Sequence, residues 1–334
     1  MSESQAAPLL VVGAGAVGGY IAAHLARMGT PIVVFEPWAP NREAIAARGM
    51  TVLEPSGTFT VPLRTIGSAG EIPQVAPRMV VLCTKLADAP AALAEIESVY
   101  RGDYLVTLNA LADLDVAEQL GPSRVAGCIV TGLFANLIEP GRMQRHRTRD
   151  DGGPATFLIG ETAGPATPRV RDLTALFEGI DTTKAVDDMP AARWTKMVFN
   201  CMTSPLSAVL GQPIRALFLD AGPRAEMTEL ALEVVRIAMA CGVTLEAACG
   251  IPGATWMQAT SGDAAALATV EAGLLRYGEK MNATAVSGMA QDLARGRRTE
   301  AWLINGAVVT QAQRRGLEAP ANAALIARID AAMR

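Results

Sequence analysis

Residues 9–36 read LLVVGAGAVGGYIAAHLARMGTPIVVFE, and this stretch decides the fold. Leu9 to Val12 make an apolar run of strand length, and Gly13, Gly15 and Gly18 follow at once. Val17, Ile21, Leu25 and Met28 then recur at the spacing of one buried helix face, which Gly29 ends. Pro31 to Phe35 give a second strand that closes on Glu36. Strand, glycine turn, helix, strand and acid fit within 28 residues, the order and length of a dinucleotide-binding βαβ unit. The first glycine makes the tight turn, the second admits a pyrophosphate to the backbone, and the third lets helix pack on strand. Free N–H groups at the helix start, in Ala14, Ala16 and Val17 as well as the glycines, would face the phosphates.

Outward from this unit, Met79 to Thr84 and Tyr104 to Leu108 read as buried parallel strands with a helix over 87–100 between them. Thr84, Lys85 and Asn109 therefore fall at strand C-terminal ends, the ligand-binding edge of an open α/β sheet. Further strands are expected at 125–130, 157–159 and 182–186, with a helix marked by Val170, Leu173, Leu176 and Phe177. Beyond Asp187 and Asp188 the pattern is helical: 190–210, 224–240, 264–280, 286–295, 300–315 and 322–333. The expected fold class is α/β, with an N-terminal Rossmann-like dinucleotide-binding domain over 1–187 and an all-helical C-terminal domain over 188–334. A chain of 334 residues has room for both at about 150 residues per domain.

Composition narrows the function. The chain is 50% hydrophobic and carries a formal charge of −4 without a polybasic tract, which argues against nucleic acid or an anionic membrane as partner. It shows neither a signal-peptide pattern at its start nor an apolar run near the roughly 18 residues of a membrane span, so a cytoplasmic location is expected. Five cysteines (83, 128, 201, 241, 249) form no CxxC pair and read as reduced, buried thiols. The two histidines are His24, inside a helix, and His146, in the basic strand-like stretch RMQRHRT. A histidine triad or histidine-rich metal site is thereby excluded and no metal is expected, so proton transfer falls to Lys, a carboxylate or Tyr.

In RWTKMVFNCMTS, Lys196, Asn200 and Ser204 stand four residues apart and share one helix face. A lysine with amide and hydroxyl neighbours can hold a carboxylate or carbonyl oxygen and deliver a proton to a developing alkoxide. By spacing alone a solvated face explains them better, although the apolar Trp194, Met197, Val198 and Phe199 weigh against it. Glu300 opens a helix after an arginine-rich bend, and on its own is a favourable charge at a helix N-terminus.

The order of these pieces resembles the ketopantoate reductase (2-dehydropantoate 2-reductase) family across nearly the whole chain. The resemblance rests on GAGAVG, Lys85, LNA at Asn109, W-x-K-x-x-x-N around Lys196, TE-x-x-x-ING from Thr299, and GLEAPAN before the last helix. It implies NADPH-dependent reduction of a small 2-oxo acid in a cleft between domains. Lys196 then corresponds to the proton donor, Asn200 to a substrate-binding residue, Asn109 to a contact of nicotinamide and substrate, and Glu300 to the acid that touches cofactor or substrate and tunes the lysine. Gly13 to Gly18 and Lys85 would hold the cofactor, and a homodimer stays open as the assembly.

Four positions depart from the family pattern. Ser204 replaces a second asparagine, Gly288 a serine, and Ala110 a glycine, and the first two are substrate contacts in the family. Glu36 stands where NADPH users carry arginine; an acid there accepts from a ribose 2'-hydroxyl and repels a 2'-phosphate, so NADH becomes acceptable or preferred. The alternative is that Glu36 turns to solvent and Arg42 takes the phosphate. Two other functions compete: a dehydrogenase of another small branched 2-oxo or 2-hydroxy acid, and a non-catalytic dinucleotide sensor.

Overall fold

The computed structural model describes residues 7–149, 153–283, 287–294, 296 and 299–333, which fall into two compact units, 1–189 and 190–334. Within the first, strands β1 (Leu9–Val12), β2 (Ile32–Phe35), β3 (Met50–Glu54), β4 (Gly57–Val61), β5 (Arg64–Ile66), β6 (Met79–Leu82), β7 (Asp103–Val106), β8 (Val125–Val130), β9 (Ala135–Glu139), β10 (Arg142–Arg145), β11 (Phe157–Glu161) and β12 (Thr183–Ala185) alternate with helices. Those helices are α1 (Ala16–Arg27), α2 (Ala39–Arg48), α3 (Ile72–Val75), α4 (Ala89–Glu97), α5 (Ala112–Leu120) and α6 (Pro168–Glu178).

The main sheet runs β5-β2-β1-β6-β7-β8-β11-β12, parallel from β5 to β8, with β11 antiparallel to β8. Counting only the six parallel strands in chain order, this is the 3-2-1-4-5-6 arrangement of dinucleotide-binding folds, whose switch point lies between β1 and β6. All four residues of β1, β2 and β6 are buried, the continuous apolar signature of parallel strands covered on both faces.

Several features differ from the sequence reading, which contained neither β5 nor the helices α2 and α5. Met28 is 49% exposed, because α1 ends at Arg27 and the chain turns away through Gly29 at φ +85°. A second sheet, β4-β3-β10-β9, was not expected as a sheet, although the strand-like stretch RMQRHRT supplies its β10. Val52 and Met143 point from it into the core, whereas β4 and β9 are largely exposed, so their apolar signal is at most half strength.

The second unit is built from α7 (Met189–Leu210), α8 (Ile214–Leu219), α9 (Ala221–Ala240), α10 (Gly253–Ala259), α11 (Ala264–Glu279), α12 (Gly288–Ala294), α13 (Ala301–Gln313) and α14 (Pro320–Ala332). Its described residues contain no strand, only an isolated bridge between Ala248 and Ile251. The short α8 and α10, absent from the sequence reading, start directly after Pro213 and Pro252. Arg295, Arg297 and Arg298 of the arginine-rich bend, and Val286 at the expected start of α12, lie outside the described residues. No described helix is long and apolar enough to cross a membrane.

Candidate active site

The glycine turn joins β1 to α1 at the switch point, and its three glycines differ in what a Cβ would meet. Gly13 adopts φ +87°, and a Cβ there would press on Cys83 O and the Thr84 backbone at 3.1–3.2 Å. At Gly18 a Cβ would lie 1.9 Å from Gly13 O and 2.8 Å from Cys83 Cβ, so close packing of helix on strand requires its absence. Gly15 is different: a Cβ there meets nothing within 4 Å among the described residues, so packing does not require glycine and open space lies beside it. Gly15 also starts α1 without a side-chain cap, and the first turn carries no acid, which leaves the opening N–H groups and the positive dipole end for an anion. Two neighbours suit that anion. Thr84 Oγ1 is buried without a hydrogen-bond partner among the described residues, and burial pushes the Cys83 thiol up to about 12, keeping it neutral.

Glu36 reaches back from the end of β2 to this turn. Its Oε2 accepts from Ala14 N–H at 3.0 Å and from Asn41 Nδ2 at 2.8 Å, and its Oε1 accepts from Trp38 N–H at 3.0 Å. Glu36 is 7% exposed, so it does not turn to solvent. Oε1 retains a lone pair for one hydroxyl donor. One nitrogen of the Arg42 guanidinium, Nη1, donates to the carbonyls of Glu36 and Pro37, at 3.1 and 3.2 Å. Asn41 went unnoticed in the sequence because an asparagine in the first turn of α2 carries no periodic or motif signal; it is fully buried and also binds Ala14 O at 3.1 Å and Gly141 N–H at 2.8 Å.

Lys85 is exposed in the turn after β6, where its carbonyl accepts from Asp88 N–H at 3.1 Å. Asn109 is half-buried just beyond β7, followed by Ala110 in the left-handed region at φ 55°. In the second unit, Lys196, Asn200 and Ser204 occupy successive turns of α7 and all three are half-buried, unlike a solvated face. Trp194, Met197, Val198 and Cys201 fill the buried side of the same helix. Glu300 is half-buried at the start of α13, with its carbonyl accepting from Leu303 and Ile304 N–H at 3.0 Å. The turn residues and Glu36 are thus brought together in one unit, and the lysine face and Glu300 belong to the other.

Residues 9–162 match the family profile described as Ketopantoate reductase PanE/ApbA, and residues 188–333 match its C-terminal profile. The chain belongs to the ketopantoate reductase family. A 2-dehydropantoate 2-reductase of Mesorhizobium japonicum is 27% identical over 260 residues, covering 70% of this chain and 77% of the relative. One from Pyrococcus horikoshii is 24% identical over 97% of this chain and 96% of its own. The crystal structure of a PanE/ApbA family ketopantoate reductase from Ralstonia eutropha superimposes with a TM-score of 0.78 at 25% identity, covering 97% of this chain and 98% of that one. The protein is an oxidoreductase of the ketopantoate reductase type.

Proposed function

We propose that the protein reduces a small 2-oxo acid to the 2-hydroxy acid with a nicotinamide dinucleotide, ketopantoate being the first substrate to test. The observation that carries this reading is the half-buried Lys196–Asn200–Ser204 face on α7, a cation and two hydrogen-bonding groups set against an apolar helix side. Gly13 to Gly18 would receive the pyrophosphate, and Lys85 and Asn109 lie at the same strand edge. The bound nicotinamide would supply the hydride. Lys196 binds the oxo group and protonates the oxygen as negative charge develops there, and Asn200 orients the acid. Glu300 sets the lysine's charge state or contacts the cofactor.

Glu36 supports NADH over NADPH. Its carboxylate is fixed by three donors and keeps an acceptor position for a ribose hydroxyl, while a 2'-phosphate brought there would meet like charge. A second reading, turnover of a 2-oxo acid bulkier than ketopantoate, is favoured by one contact: Ser287 Oγ donates to Ser204 O at 3.1 Å, so the two departures, Ser204 and Gly288, are close neighbours. Both substitutions shorten or remove a side chain. Oxidation of NADH and of NADPH against ketopantoate and a series of branched and aromatic 2-oxo acids tests both readings. Activity on none of them, with cofactor bound, overturns both and favours a dinucleotide sensor.

A further inference from the structure

α7 runs for 22 residues with Pro205 inside it. In a regular helix the carbonyl of Cys201 accepts from the N–H of residue 205, and proline has none. Cys201 is fully buried, so its carbonyl needs another donor from the protein. Asn305 supplies it: its Nδ2 donates to Cys201 O at 3.1 Å and, with its other hydrogen, to Asn322 Oδ1 at 2.9 Å. Asn322 Nδ2 donates in turn to Glu233 Oε2 at 2.9 Å, and the Glu233 carboxylate also accepts from the N–H groups of Ala321 and Asn322 at the start of α14. One chain of hydrogen bonds therefore joins α9, α14, α13 and α7, and both asparagines are fully buried.

We propose that Asn305 is a positioning residue for the reducing site: its amide replaces the N–H that Pro205 lacks and holds the Lys196-bearing helix in register with the Glu300-bearing one. This rests on the catalytic reading of Lys196 and Glu300 given above. The bonded carbonyl is five residues beyond Lys196 and one beyond Asn200, and Asn305 is five beyond Glu300, so the link sits a turn and a half from each group. A slip of either helix would carry its functional side chain with it. The arrangement also explains two sequence tracts left without a role: the asparagine of ING is the donor to α7, and the asparagine of Pro-x-Asn is the acceptor that orients that donor.

The test is a double-mutant cycle on the full chain with Asn305→Ala, Pro205→Ala and the pair, because Pro205→Ala returns an N–H to the orphaned carbonyl. Asn305→Ala is expected to lower kcat at least tenfold, leave the dinucleotide dissociation constant within twofold, and speed amide exchange across 201–206. Adding Pro205→Ala is expected to restore kcat at least fivefold over Asn305→Ala and to restore protection. Losses that multiply as independent, or Asn305→Ala retaining kcat within twofold, overturn the assignment. If Asn305→Ala does not fold, a folded double variant supports the proposal and an unfolded one overturns it. Should the wild type reduce no 2-oxo acid, the catalytic reading fails, and the exchange measurements still decide whether Asn305 serves the Pro205 gap.

Discussion

Asn41 Nδ2 donates to Glu36 Oε2 over 2.8 Å and to Ala14 O over 3.1 Å, so one buried amide grips both the acid and the glycine turn. A hydrogen bond to a charged group is worth about 1.5–3 kcal/mol. Asn41→Ala should therefore loosen Glu36 and lower kcat/KM for NADH about tenfold, equivalent to about 1.4 kcal/mol, with a smaller change for NADPH. Glu36→Gln should shift the ratio in the same direction. Steady-state kinetics with both cofactors measure it, and a wild type that favours NADPH tenfold or more defeats the electrostatic reading. Glu36→Arg should weaken binding of both cofactors, since it strands three donors beside a buried cation.

For Lys196→Ala, cofactor binding should survive, because the glycine turn belongs to the other unit, while kcat falls about 100- to 1,000-fold. Dinucleotide titration by fluorescence together with turnover separates the two effects. A variant with more than half the wild-type kcat removes the lysine from the mechanism.

Legibility in the sequence followed burial. Five of the six parallel strands and the long helices were visible because their cores are uniformly apolar, as in LLVV and MVVL, whereas β5, with one buried residue in three, was not. Of the sheet of β3, β4, β9 and β10 only the strand-like RMQRHRT at β10 was visible, because β4 and β9 are largely exposed. The candidate site divides in the same way. Gly13, Gly15, Gly18, Glu36 and Lys196 stand at spacings that chemistry dictates locally, so they could be read. Asn41, Asn305 and Asn322 act on groups 27, 104 and 17 residues away in the chain, and no local pattern announces such a contact.

Ala110 sits at φ 55°, in the left-handed region that favours glycine. A left-handed alanine costs about 1–2 kcal/mol, but glycine costs about 0.5–1 in chain entropy and would lose about 0.8 from its buried methyl. These nearly cancel. Ala110→Gly should thus change stability by less than about 1 kcal/mol. Ala110→Val, β-branched and 5% exposed in the parent, should cost roughly 2 kcal/mol or more. Urea unfolding of both variants checks the contrast, and equal effects would exclude backbone strain as the reason for the small residue.

His24 links folding to pH. Its ring lies 4.3 Å from the Tyr20 ring and 4.9 Å from that of Phe59, and Nε2 is 3.3 Å from Glu54 Oε2. Burial lowers its pKa below the ordinary 6.5, and the opposing pull of Glu54 does not restore it against burial with Arg27 and Arg145 also nearby. The folded protein therefore binds this proton less readily than the unfolded chain does. Stability from this group is complete above pH 6.5 and declines as the pH falls through 6.5 toward the lower folded value. Tm should drop between pH 7.5 and 5.5, and His24→Gln should flatten that part of the profile after its own constant loss of packing. Parallel Tm profiles for wild type and variant would show that another group governs the acid limb.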